Sequence, residues 1–425
     1  MVEFKLRGYT NIVWDSLELE LPLPQTMGKK TQENNWTLPE VDIRLRDVSQ
    51  LDLSAYDIQY IAFDERTKWT TDSTKLPKGY ESLNKIFELG KNPGLGIRSL
   101  HEKGIDGSGM SMAIIDQPLS DHVEIQDNLV YYEEFGYDNK ETTGKMHGLA
   151  VASIAVGKNC GVAPKAKLYY FAANNKREKN GQQIRTSYYK IQALERIMQI
   201  NESLPDKEKI QIVSMSAGWM GNPKTEKSDE WHKVLEKAKK AGLFVLTTAS
   251  SKEYGLDFLG LGKQAVKDPE DPSSYTDKDW GIPVEIEKEF ILEHGGQKAL
   301  EEYRKRLEKT VLVPMEHRTI ASPTGKDEYV HYFDGGMSWA TPWLAASFVL
   351  ARQVDPTIMP EDFWEIAIQT GVFNEKAHGT IIQPIKLIDS LQKGAIAKNL
   401  GKRLENGVND TVRLTNQTKG KQNAK

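Results

Sequence analysis

Three short segments of this chain hold residues that together could break an amide. Asp116 ends the apolar run Ser111-Met112-Ala113-Ile114-Ile115. His147 opens the small-residue stretch Gly148-Leu149-Ala150-Val151-Ala152. Ser338 follows Gly335-Gly336-Met337 and leads into Trp339-Ala340-Thr341-Pro342. Acyl transfer from an amide needs a nucleophile, a base for its proton, a group to orient that base, and donors for the developing oxyanion. Serine, histidine and aspartate supply the first three roles. Each alone says little in a chain with 8 histidines; the order Asp, His, Ser is more telling, because it is one of few in which such a triad recurs.

Each residue needs a stiff support. S-M-A-I-I-D reads as a buried strand delivering its acid at the carboxyl edge, where open α/β sheets place their sites. The histidine segment reads as the first turn of a helix. The glycine-flanked serine reads as a turn opening a helix, with Pro342 tolerated only near that start. Further apolar runs at 168–172, 210–214, 243–248 and 311–313 alternate with helical stretches at 187–202 and 228–241, the latter opening on Ser228-Asp229-Glu230 in a turn where acids suit the helix dipole. This alternation predicts an α/β fold, a doubly wound and mostly parallel sheet with helices on both faces.

With these segments in view the sequence resembles the subtilases over about 95–351. G-S-G-M-S-M-A-I-I-D is similar to the family's aspartate motif, H-G-L-A-V-A-S-I-A-V-G to its histidine motif, and G-M-S-W-A-T-P-W-L-A-A to its serine motif; Gly161-Val162-Ala163-Pro164 is similar to the segment leading into the next strand. The stretch from Val313-Pro314-Met315 to the serine resembles a signal-less intracellular bacterial branch. The resemblance implies a serine endopeptidase: Ser338 as nucleophile, His147 as general base, Asp116 holding the imidazole. It also implies that Ser216, Ala217 and Gly218 bind substrate, a protein or peptide added as an extended strand.

The sequence departs from the family at one chemically important place. The position of the oxyanion asparagine holds Ser251, whose hydroxyl donates but reaches less far than an amide. Losing such a donor costs about 10²–10³ in turnover. Two alternatives therefore stand beside the peptidase: a weak or inactive subtilase that binds peptides or proteins, and a peptide ligase or macrocyclase in which an amine intercepts the acyl-enzyme.

The chain divides into a β-rich leader, 1–85, a peptidase domain, 86–397, with a charged helical insertion at about 252–310, and a basic tail, 398–425. The leader is either a prosegment or a structural packing element. The 425 residues, 39% hydrophobic and 27% charged, suit an ordinary globular protein. A formal net charge of −4 gives no field for nucleic acid or an anionic membrane, and no apolar run is long enough to span one. One cysteine, Cys160, excludes an internal disulfide and reads as a buried structural thiol. With no apolar signal region after Met1, the expected location is cytoplasmic. No cofactor is required; calcium enters by family resemblance only. Asp121-His122-x-Glu124 matches no standard metal spacing and reads as a solvated loop. The glycines before Ile114 precede their strand, whereas a phosphate loop follows one, so no dinucleotide site is expected.

Overall fold

The computed structural model describes residues 5–9, 41–138, 142–218, 220–281, 284–375 and 377–394. The expected basic tail and positions 10–40 of the leader lie outside the described residues. Among the described residues the first elements are β1 (Val41–Asp42), β2 (Ile61–Asp64), α1 (Leu83–Lys91) and α2 (Ile97–Glu102). Then come β3 (Ser111–Asp116), β4 (Leu129–Phe135), α3 (Met146–Val156), β5 (Lys167–Ala173), the hairpin β6 (Lys176–Lys179) and β7 (Gln182–Arg185), α4 (Tyr188–Ser203), β8 (Ile210–Met215), α5 (Ser228–Lys240), β9 (Phe244–Thr247) and α6 (Ser250–Tyr254). The insertion supplies β10 (Phe258–Lys263), β11 (Tyr275–Gly281) and α7 (Val284–Leu307), which is broken at Gly296. The last elements are β12 (Val311–Pro314), β13 (Arg318–Ala321), β14 (Tyr329–Tyr332), α8 (Met337–Val354), α9 (Pro360–Thr370), β15 (Val372–Asn374) and β16 (Gly379–Ile381).

The central sheet has the order β4-β5-β3-β8-β9, with every pair parallel. Its inner strands β5, β3 and β8, and β9, are mostly apolar on both faces because both are covered, while edge strand β4 is only partly buried. Alternation along β3 shows the sorting. Met112 and Ile114 face a core shared with α3, α8 and α9, while Ala113 and Ile115 face a second core with α4 and α5. This is the α/β architecture expected from the alternation of runs, and it puts the carboxyl ends of β3, β8 and β9 along one edge.

Two further sheets, one of five strands and one of four, accompany the central one. The order β11-β10-β12-β16-β15 makes the insertion part of the body, since β10 pairs in parallel with β12. The insertion is therefore not helical alone; Phe258-Leu259-Gly260-Leu261-Gly262-Lys263 forms a strand whose glycines hide it from a periodicity reading. In the third sheet, β1-β2-β14-β13, leader strand β2 pairs antiparallel with β14. A small core of Val41, Ile43, Leu53, Ile61, Phe63 and Ile86 also takes in Ala265 of the insertion. Helix α1 runs across position 85/86.

Candidate active site

Strand β3 delivers Asp116 at the edge of the central sheet, 9% exposed, where its Oδ1 accepts the Gln117 N–H at 2.8 Å. Helix α3 must come close for His147 to meet it. Gly148 allows this, because a Cβ there would overlap Gln117 O and the Tyr170 hydroxyl. From Gly148 to Val156 the helix is buried throughout, as an apolar, small-residue helix must be. The His147 ring meets Asp116 with Nδ1 2.7 Å from Oδ1. An ionised carboxylate only accepts, so the Nδ1 proton donates to it and Nε2 keeps its lone pair. Burial disfavours the imidazolium, but the charge of Asp116 and this hydrogen bond outweigh it, holding the His147 pKa above its ordinary value.

Ser338 lies in the first turn of α8, behind a turn that only glycines permit. Gly336 has φ +58°, a strained conformation for any L side chain, and a Cβ at Gly335 would fall inside the Trp339 indole. Trp339 packs on the His147 ring with centroids 5.5 Å apart and on Tyr332 at 5.7 Å. In the first turn of a helix the N–H groups of Met337 and Ser338 have no intrahelical acceptor, which makes this end a donor site for an oxyanion.

Pro342 has a specific consequence. It lies four residues beyond Ser338, and its missing N–H leaves the Ser338 carbonyl without the usual helical donor. The Ser216 hydroxyl takes that place, donating to Ser338 O at 2.9 Å. The segment following β8 is thereby tied to the serine turn. Gly218 sits against the end of β9, where a Cβ would collide with Thr248 Oγ1. Ala217 continues this segment, its N–H bonded to Met215 O at 2.7 Å. Thus the structure brings Asp116 and His147 into direct contact, packs Trp339, the neighbour of Ser338, on the His147 ring, and sets Ser216 on the Ser338 carbonyl. Ser251 occupies the first turn of α6 beyond β9, and no hydrogen bond joins it to Ser338 or His147 among the described residues.

Sequence reading missed Lys190. It lies in the first turn of α4, at the sheet edge where β3 ends, and is only 4% exposed. Burial pushes its pKa down to about 8, opposed by the charge of Asp116. Its signal in the sequence is a lysine on the buried face of an amphipathic helix.

The reading of Asp121-His122-x-Glu124 as a solvated loop is corrected. His122 and Glu124 are fully buried. His122 accepts the Glu124 N–H at Nδ1 (3.1 Å) and donates from Nε2 to Glu328 O (2.8 Å). Glu124 takes the Asn159 side-chain and backbone N–H groups, the Tyr329 hydroxyl and the Cys160 N–H. These bonds replace solvent for a buried carboxylate, clamping the 157–161 turn to β14. Cys160 is buried, and burial, with the Glu124 charge, pushes its thiol pKa well up. Among the described residues no group of three or more His, Cys, Asp or Glu is arranged to hold a metal ion, and no helix is long and apolar enough to cross a membrane.

Comparison with known proteins gives one family. The subtilase model, Peptidase_S8, matches residues 107–284, a span that contains Asp116 and His147 and ends before Ser338. No curated protein matches the chain. Among solved structures it is similar to the prenylagaramide maturation protease PagA, at 15% identity over 70% of this chain and 98% of that one, with a TM-score of 0.45. It is also similar to the A-subunit of the AB5 toxin from E. coli, at 13% identity over 71% and 98% of the respective chains, with a TM-score of 0.47. Likenesses this loose carry no argument about activity. Residues 107–284, which hold the parallel sheet with Asp116 and His147, thus match the subtilase family.

Proposed function

We propose that this protein is a serine endopeptidase that works through an acyl-enzyme. The observation that carries the reading is the 2.7 Å bond between His147 Nδ1 and Asp116 Oδ1, with Trp339, the residue after Ser338, packed on that imidazole. A peptide lies as an extended strand along Ser216, Ala217 and Gly218, and its scissile carbonyl carbon meets Ser338 Oγ. As the Oγ–C bond forms, His147 Nε2 takes the serine proton, and Asp116 stabilises the resulting imidazolium. The oxyanion accepts from the first-turn N–H groups of α8. Collapse breaks the C–N bond, His147 returns the proton to the leaving amine, and water then hydrolyses the ester by the same base. The chemistry uses no cofactor.

A second reading, a catalytically weak scaffold that binds peptides, draws on Ser251, since no side-chain amide replaces the family's oxyanion donor there. One experiment separates the two. After exposure to a fluorophosphonate probe, intact-mass spectrometry of the wild type is expected to show a single adduct that is missing from Ser338→Ala. A folded wild-type protein with no adduct would favour the peptide-binding scaffold.

A further inference from the structure

The segment that starts at Ser216 is fixed again ten residues later. Glu226 lies between α5 and the loop beyond β8, and it reaches across to the β6–β7 hairpin. Its Oε1 accepts from the Arg177 guanidinium and from Lys179 Nζ at 3.1 Å, and its Oε2 accepts from the Thr186 hydroxyl at 2.9 Å. The backbone joins the same two arms: Glu226 N–H donates to Arg185 O at 3.1 Å, and Ser187 N–H donates to Glu226 O at 2.9 Å. The Ser187 hydroxyl donates to Met220 O at 2.9 Å. The Glu226 side chain is 15% exposed. Arg177, then the hydroxyl of Thr186 and the Lys179 ammonium, hold its pKa at about 2 against the effect of burial.

We propose that Glu226 is a positioning residue for peptide binding, clasping the arm that carries Ser216, Ala217 and Gly218 to the β6–β7 hairpin so that the peptide meets a preformed edge. The inference rests on the peptidase reading of that arm. One end of the arm is anchored on the Ser338 carbonyl through Ser216, and the other is anchored by Glu226. Without the second anchor a peptide must order the loop as it binds, and that conformational entropy is charged to binding rather than to chemistry. Partly exposed ion pairs add little to global stability, so the clasp acts through loop geometry and not by holding the fold together.

In Glu226→Ala the KM for a peptide several residues long on each side of the cut is expected to rise about tenfold, with kcat within about twofold of wild type. The rate of fluorophosphonate labelling of Ser338 should stay unchanged, because that small probe does not use the arm. Arg177→Glu should reproduce the rise in KM, and the charge-swapped pair Glu226→Arg with Arg177→Glu should recover part of it, which a general folding defect would not. An unchanged KM in Glu226→Ala, or an equal loss of probe labelling, overturns the inference. If wild type neither labels nor cleaves, the peptidase reading fails by itself. The clasp is then judged by hydrogen exchange in Glu226→Ala: faster exchange at 214–218 and 176–187 with α8 unchanged supports it, and unchanged exchange there overturns it.

Discussion

Asp116→Asn should lower turnover by roughly 10⁴-fold while the sheet and the serine turn stay in place. The side chain that ends β3 has two jobs, and asparagine does neither. As a carboxylate it can only accept, which keeps the His147 proton on Nδ1 and leaves the lone pair on Nε2. An amide can present its NH₂ to Nδ1, and the proton then sits on Nε2, where it blocks the base. The carboxylate charge also stabilises the imidazolium that forms as Ser338 is deprotonated. Stopped assays on a peptide substrate give kcat directly, and the pH profile gives a second readout. The base must be neutral to act, so wild-type kcat/KM should rise with pH through an apparent pKa above 6.5, because Asp116 raises that of His147. With the charge removed, that limb should move to lower pH. Turnover within tenfold of wild type would remove Asp116 from the mechanism.

Much of this site was legible because its chemistry demands unusual local sequence. A strand ending in an acid, a histidine followed at once by glycine, and a serine behind two glycines are each explained by close approach: Gly148 against Gln117 and Tyr170, Gly335 against Trp339, Gly336 at positive φ. The central sheet was legible for a similar reason, since strands buried on both faces read as unbroken apolar runs. What escaped was non-local. Strand β10 carries two glycines and owes its state to pairing with β12 rather than to its own propensity. His122 and Glu124 look like a polar loop because sequence shows their charge and not the Asn159, Tyr329 and Glu328 partners that bury them. The same limit hid Glu226 and Lys190, whose settings come from elements far along the chain.

The Ser216 contact shows how one residue serves fold and site together. Pro342 would be a defect in α8 if the Ser338 carbonyl were left bare. The Ser216 hydroxyl fills that gap at 2.9 Å, and in doing so it ties the 216–218 segment to the serine turn. A proline placed six residues into the helix is thus consistent with the serine motif only when read against a serine more than a hundred residues earlier.

Acid should destabilise the protein through a buried pair of imidazoles at the seam between the leader and the body. His317 and His331 are both 1% exposed, with His317 Nδ1 3.5 Å from His331 Nε2, and His331 Nδ1 shares a hydrogen bond with the Thr319 hydroxyl at 2.9 Å. Phe63 of β2 stacks on His331 with centroids 5.2 Å apart. The buried ammonium of Lys263 lies near, itself beside the Arg318 guanidinium, so a further positive charge has poor surroundings. Burial, then Lys263, pushes the His331 pKa down to about 3, and burial, then His331, pushes that of His317 well below its ordinary value. A histidine whose pKa is lower folded than unfolded gives its full stabilisation above pH 6.5 and loses it as the pH falls toward the folded value. At pH 5 the loss from His331 is about 2 kcal/mol, with His317 adding to it. Lys263, held at about 7, gains its proton between pH 7.5 and 5 and adds a smaller loss of the same sign. Urea unfolding at pH 7.5 and pH 5 should therefore show a drop, and His331→Phe, which keeps an aromatic ring against Phe63, should shrink it by about 2 kcal/mol. Groups titrating away from this seam act on both proteins alike, so the difference between them reports His331 together with the His317 and Lys263 charges coupled to it. Equal drops in wild type and variant would place the acid sensitivity elsewhere and leave this seam a packing contact with no titrating role.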